Sequence, residues 1–178
     1  MSTTSTPHGF LTAFRAHPAG VALVTADAGN GPVALTATSV ASISVDPPIL
    51  MFSISDSSSS SPTVAAADTV VVHLLTAGQL HLAKLGATSG IDRFADTSLW
   101  RTLPTGEAVF PQAPVQIRAQ VTERVRAGTA HVVIARALEV TGPGVTNPDN
   151  TDPEARHPGP LVYHDRTWHH LGESSRLD

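Results

Sequence analysis

Val115-Gln-Ile-Arg-Ala-Gln-Val-Thr-Glu-Arg-Val-Arg126 runs into Ala127-Gly128-Thr129 and then Ala130-His-Val-Val-Ile-Ala-Arg-Ala-Leu-Glu-Val-Thr141. Both long runs alternate apolar and polar residues, the period of a strand with one buried face. A short connection containing glycine joins them, so they read as a long antiparallel hairpin. Downstream, residues 142–159 are rich in Pro, Asn and Asp and read as a surface loop. Residues 161–164 and 167–171 flank Asp165-Arg166 as a last hairpin.

Upstream the pattern is similar. Residues 97–112 lack periodicity and read as a loop, while 69–75 are β-branched and read as a buried strand. Leu80, Leu82, Ala83 and Leu85 place a helical segment over 78–87, with one further turn at 91–94. Residues 49–54 form a short apolar strand, and 40–45 alternate small polar with apolar residues until Asp46-Pro47-Pro48 breaks them. Residues 21–26 and 32–36 pair across Gly29-Asn30-Gly31, a turn sequence. Phe10, Leu11 and Phe14 recur at helical spacing over 8–16, and Pro18 and Gly20 end that helix. The sum is about eight or nine strands and two or three short helices. Hairpins dominate and strands do not alternate regularly with helices, which predicts an antiparallel barrel with helices packed outside.

The chain has 178 residues, enough for one domain with a real core. That domain is expected over 8–172, with 1–7 and 173–178 as flexible termini. A formal net charge of −4 argues against broad nucleic-acid binding, which needs clustered Lys and Arg. The absence of cysteine removes disulfides, thiolate catalysis and thiolate metal sites. No signal peptide or membrane-length apolar run is visible, so a cytoplasmic protein is expected. Charged residues make up only 15%, which fits a surface partly covered in an oligomer.

Chemistry concentrates in residues 34–63. Thr36, Thr38, Ser39, Ser42 and Ser44 precede the apolar strand; Asp56 and the run Ser57–Ser61 follow it. The first group reads equally as ligand contacts or as the solvent face of a strand. A serine run is commonly a slack linker. This one lies between a core strand and a helix start, where a compact domain has little use for slack. Ser61 as N-cap with Pro62 at the first helical position predicts a helix over 62–67. Hydroxyls and backbone N–H groups gathered there suit a phosphate without a basic cluster. His131, alone on an alternating strand, reads without further information as a hydrogen-bonded, half-buried residue. His169 and His170 face opposite sides of a strand, and no His-Glu-x-x-His spacing exists, so no metal site is expected. No Gly-x-Gly-x-x-Gly fingerprint is present, so no dedicated dinucleotide-binding fold is expected.

Several segments together resemble the NAD(P)H-dependent flavin reductase family, whose fold is an FMN-binding split barrel. They are residues 32–39, 42–50, the serine run, 70–75, Asp92-Arg93-Phe94, His131 and 160–164, and the similarity spans roughly 10–171. The resemblance implies a mainly β fold, an antiparallel Greek-key split β-barrel with a few short peripheral helices. It implies flavin contacts at Leu35, Thr36, Ala37, Thr38 and Ser39, and phosphate and ribityl contacts at Ser53, Ser55, Ser57, Ser58, Ser59 and Ser60. Arg93 and Phe94 match the motif that closes over the cofactor; Tyr163 and His164 match the motif beside the flavin ring. His131 matches a nicotinamide-side residue, the candidate catalytic group. His73 stands where many members carry Asn, and is carried as a cofactor-side position. Leu85-Gly86 replaces a common Phe-Ala, and the 142–159 loop is longer than typical.

The activity implied is reduction of FMN or FAD by NADH or NADPH, in a homodimer that supplies reduced flavin to a flavin-dependent monooxygenase. Hydride transfer between two cofactors needs no protein nucleophile, in keeping with a chain that lacks a triad. Two rival readings keep the fold: a pyridoxamine-phosphate-oxidase type of flavoprotein, and a flavin-binding protein without turnover.

Overall fold

The computed structural model describes residues 7–143 and 159–177. Helix α1 (Pro7–Arg15) precedes the short strand β1 (Ala19–Gly20), then β2 (Ala22–Ala26), β3 (Val33–Ala37), β4 (Ala41–Val45) and β5 (Pro48–Ser55). Helix α2 (Ser61–Ala66), β6 (Thr69–Leu74), a 3-10 turn (Ala77–Gln79) and helix α3 (Leu80–Ala87) follow. The chain continues with β7 (Arg101–Thr102), β8 (Ala108–Val109), β9 (Val115–Ala127), β10 (Ala130–Thr141), β11 (Leu161–His164) and β12 (Thr167–His170). Among the described residues nine strands have four or more residues, in line with the sequence pattern.

Seven strands form one antiparallel sheet in the order β3-β2-β6-β9-β10-β5-β4. β5 and β6 are consecutive in sequence but stand apart in the sheet, a Greek-key connection made through α2. The sheet curls until β3 and β5 lie side by side, yet no ladder joins them. Instead Ser39 bridges the gap: its Oγ accepts from Ser53 N at 2.9 Å and lies 3.3 Å from Ser53 O. That unpaired seam is the split of the barrel.

Two apolar clusters explain the patterning. Val24, Leu35, Phe52, Ile54, Val64, Val70, Val72, Val133 and Ala135 fill the barrel. Leu23, Ala34, Leu75, Leu82, Phe110 and Leu161 form a second cluster between barrel, α3 and β11. β2 is therefore buried on both faces, and β6 on both for most of its length. Their apolar runs consequently show little alternation. Each fully buried Val, Leu or Phe contributes about 1.5–3 kcal/mol.

Three local expectations are corrected. Residues 97–112 contain the β7–β8 hairpin, and Ala108, Val109 and Phe110 are buried in the core. Residues 91–94 form no helical turn; Phe94 N donates to Asp92 Oδ1 at 2.9 Å, the side-chain turn that Asp favours. The N-cap of α2 is Ser60 rather than Ser61, and it makes no side-chain cap bond. Most of the 142–159 loop lies outside the described residues. No helix among the described residues is long and apolar enough to cross a membrane.

Candidate functional site

A cleft of about 540 Å³ lies over the split. Leu35 and Thr36 of β3 and Ser53, Ile54 and Ser55 of β5 form its floor. Ser57, Ser58 and Ser59 make one wall; Gly86, Ala87, Ser89, Gly90 and Arg93 make the other. An edge strand carries unpaired N–H and C=O groups along its free side, and here the free side of β3 meets the cleft.

The serine loop is a bonded structure, not slack chain. Ser55 Oγ and Ser57 Oγ are 2.8 Å apart, and Ser57 N donates to Ser55 Oγ at 3.3 Å. Ser58 N donates to Ser55 O at 3.0 Å, Ser60 N to Ser58 Oγ at 3.3 Å, and Ser61 N to Ser58 O at 3.0 Å. Ser60 Oγ is turned inward and donates to Ala34 O at 3.1 Å, pinning the loop to β3. Ser59 lines the cleft and takes part in none of these bonds, so its N–H and hydroxyl remain for a ligand.

The opposite wall is shaped by glycine. A Cβ on Gly86 would come within 2.9 Å of Thr36 N and 2.4 Å of Leu23 Cδ1, so only Gly lets α3 approach the floor this closely. Thr36 Oγ1 uses that approach to donate to Ala83 O at 2.7 Å. Arg93 closes the end of α3: Nε donates to Leu85 O at 3.3 Å and Nη2 to Thr88 O at 2.7 Å. Its guanidinium thereby satisfies terminal carbonyls and brings the cleft its one cation among the lining residues. A smaller hollow of about 240 Å³ continues past Ser59 and Arg93, lined by Pro32, Val33, Ile91 and Phe94 among others.

The structure thus brings together Leu35, Thr36, Ser53, Ser55, Ser57, Ser58, Ser59 and Arg93, with Phe94 in the adjoining hollow. Other expected contacts lie elsewhere. Ala37 is buried in the barrel core, Ser39 closes the seam, and Thr38 is exposed just beyond β3. Ser60 borders the adjoining hollow but is buried, with its hydroxyl spent on Ala34. Tyr163 packs on Trp168, ring centres 4.6 Å apart, and His164 lies beside His169, both in the separate β1-β11-β12 sheet. None of these five positions after Ala37 is among the residues lining the cleft.

His73, carried as a cofactor-side position, is fully buried between β2 and Phe110 and is not among the residues lining the cleft. Nδ1 lies 2.9 Å from Leu23 O and Nε2 lies 3.0 Å from Phe110 N. A carbonyl only accepts and an N–H only donates, so the ring is neutral with its proton on Nδ1. Burial pushes its pKa down to about 4, against the raising effect of its backbone hydrogen bonds.

His131 also stands outside the cleft lining. The β5–β10 register sets it opposite Ile54, which points into the barrel, whereas Ser53 and Ser55 point the other way. Its Nδ1 lies 2.9 Å from Asp56 Oδ1. Asp56, at the head of the serine loop, was named with the serine run in the sequence but given no role there; its position directly before the run was the available signal.

Residues 14–172 match the family described as flavin reductase like domain. An NADH:FMN oxidoreductase of Rhodococcus erythropolis is 40% identical over 160 residues, covering 90% of this chain and 79% of the relative. An NADH:riboflavin 5'-phosphate oxidoreductase of Streptomyces pristinaespiralis is 33% identical over 164 residues, covering 92% and 87%. The crystal structure of a flavin reductase domain protein from Arthrobacter sp. FB24 superposes with a TM-score of 0.84 at 28% identity, covering 97% of this chain and 98% of that one. With the split barrel, the hydroxyl-lined cleft and these relatives in agreement, the chain belongs to the flavin reductase family.

Proposed function

We propose that this chain is an NAD(P)H:flavin oxidoreductase that reduces FMN, with NADH as the favoured donor, and releases reduced flavin to a partner monooxygenase. The observation that carries this reading is the cleft over the split. One end offers free hydroxyl and N–H groups at the serine loop; the other offers the unpaired edge of β3 over a floor kept open by Gly86. The residues present fit a flavin mononucleotide. Ser57, Ser58 and Ser59 suit a phosphate with about two negative charges, and Arg93 adds a positive field. The β3 edge suits the alternating donors and acceptors along the flavin ring.

When bound, the flavin supplies the ring that accepts hydride from the nicotinamide. The protein's share is to hold and orient. Ser59 and its neighbours fix the phosphate end, Leu35 and Thr36 set the ring edge, and the tied Arg93 keeps the far wall in place. No side chain lining the cleft is a nucleophile with an adjacent base, and none is needed. The names of the relatives, which specify NADH and FMN or riboflavin 5'-phosphate, support the donor and acceptor chosen. A monooxygenase partner is supported by the likeness to nitrilotriacetate monooxygenase component B of Mycobacterium thermoresistibile, whose fold matches with a TM-score of 0.79. Domain limits of 8–172, a homodimeric state and a cytoplasmic location belong to the same proposal.

The test is spectrophotometric. NADH consumption should depend on added FMN and stop without it. A protein that binds FMN yet never oxidises NADH or NADPH would instead support a carrier. Replacing Ser58 and Ser59 with Ala should weaken FMN binding about tenfold, the loss of one or two hydrogen bonds to a charged group. An unchanged titration would remove the serine loop from the phosphate end.

A further inference from the structure

We propose that Asp56, His131 and Arg126 form a clamp that holds the serine loop in its phosphate-binding shape from behind. Asp56 and His131 act as positioning residues in it. The inference rests on the reading of the serine loop as the phosphate end of the flavin site.

The geometry is specific. Asp56 is the residue at which the chain leaves β5 and enters the loop. Its N–H donates to Thr129 O at 2.9 Å, in the tight connection between β9 and β10. Its carboxylate reaches the same hairpin twice: Oδ1 lies 2.9 Å from His131 Nδ1, and Oδ2 lies 3.4 Å from Arg126 Nη2. Arg126 and His131 face each other across the β9–β10 ladder. One carboxylate is therefore gripped from both strands of the longest hairpin.

His131 has no other visible employment. Its Nδ1 is buried and, among the described residues, no other polar atom serves it. A buried ring nitrogen needs a partner. The Asp56 carboxylate stands 2.9 Å away but off the hydrogen-bond line, a close polar contact rather than a formed hydrogen bond. Both side chains are about two-thirds covered, at 27% and 33% exposure, so the pair is shielded more than an ordinary surface ion pair. Arg126, at 69% exposure, makes the weaker second contact.

The function follows from entropy. Five consecutive serines have wide backbone freedom, and ordering them on ligand binding would cost affinity. The internal hydroxyl bonds shape the loop, and Ser60 pins its far end to β3. The clamp pins its near end. With both ends fixed, Ser57, Ser58 and Ser59 are set before the phosphate arrives. His131 thus serves the flavin phosphate through Asp56, rather than the nicotinamide directly.

The experiment compares FMN with riboflavin, which lacks only the phosphate. Dissociation constants are measured by quenching of flavin fluorescence for the wild-type protein, Asp56→Asn, Asp56→Glu, His131→Gln, Arg126→Gln and the Asp56→Asn/His131→Gln double variant. Thermal melting verifies that each is folded. Asp56→Asn and His131→Gln should each raise the FMN constant about five- to tenfold and leave riboflavin within twofold. The double variant should be no worse than Asp56→Asn alone, because that change already disrupts the His131 contact. Asp56→Glu should recover part of the loss, and Arg126→Gln should have the smallest effect. An unchanged FMN-to-riboflavin ratio of dissociation constants in Asp56→Asn, beside a raised ratio in Ser58→Ala/Ser59→Ala, overturns the clamp alone. Parallel weakening of both ligands also overturns it. If the serine variants leave the ratio unchanged too, the phosphate-end reading has failed and the clamp fails with it. A raised KM for NADH in His131→Gln with flavin constants unmoved would return His131 to the nicotinamide side.

Discussion

A histidine with both nitrogens tied inside the protein resists protonation, and His73 makes that resistance part of the stability of the fold. Its pKa is about 4 in the folded chain against an ordinary 6.5. Between those values the unfolded chain binds more protons than the native one, so stability rises with pH. The contribution is complete above about 6.5 and is lost as pH falls through that value toward 4. The full span is worth up to about 3 kcal/mol. Urea titrations at pH 7.5, 6, 5 and 4.5 should show this decline, and His73→Gln, uncharged throughout, should flatten it. A wild-type curve that is level over that window refutes the role. Gly86 gives a second prediction at this scale. Ala in place of Gly normally favours a helix by about 1 kcal/mol. Here the added Cβ meets backbone at 2.9 Å, so Gly86→Ala should destabilise by about 1–3 kcal/mol. At about 2–4 °C per kcal/mol for a chain of this size, a melting curve resolves the sign. Neither residue could be placed from sequence. His73 sits in an apolar strand like a departure at a ligand position, and only the fold brings Leu23 O and Phe110 N to its ring.

Elements were more legible than residues, for a physical reason. β9 and β10 are long and half-buried, so their alternation survives in the sequence. β6 is buried on both faces for most of its length, and its β-branched run is equally distinctive. The β7–β8 hairpin was hidden because its strands have two residues each and its signal, Ala108-Val109-Phe110, is a short apolar run beside a charge. That charge is Glu107, and its partners come from three separate segments. Thr69 Oγ1 donates to it at 2.7 Å, Arg118 Nε donates at 2.7 Å, and the Thr105 hydroxyl completes the set. Burial opposes its ionisation, yet these donors outweigh burial and hold the carboxyl below its ordinary range. Glu107 thereby fastens the β7–β8 hairpin to β6 and β9. Glu107→Ala should cost about 2–3 kcal/mol in chemical denaturation, since it strands a mostly covered guanidinium and two hydroxyls. Glu107→Gln, which keeps one acceptor oxygen and offers an amide N–H to the other hydroxyl, should cost less. Equal losses for the two variants would mean that packing, not charge, sets the hairpin.

At the scale of the whole molecule, one chain leaves apolar surface without a partner. α1 buries no residue, and Phe10, Leu11 and Phe14 are all exposed by more than half. Across the barrel, a largely apolar groove of about 350 Å³ is lined by Val40, Ile49, Leu74, Ile117 and Val140 among others. Ile43 and Val45 are also exposed on β4, Val45 at 88%. Together these faces leave an unusual amount of apolar surface in water for a monomer. β4 is also one of the two edge strands of the seven-stranded sheet, an invitation to pairing that a second copy would close. The homodimer proposed for this chain accounts for both features and for the low content of charged residues. Sedimentation at micromolar concentration should therefore give twice the chain mass of 18.5 kDa. Val45→Glu and Ile43→Glu together would bury charge at such an interface and should shift the protein to monomer, while Phe14→Glu tests α1 separately. Dimer persisting in the β4 variant but lost in Phe14→Glu would move the interface to the helix. A wild-type protein that sediments as a monomer would remove the homodimer and leave these faces for the monooxygenase partner to cover.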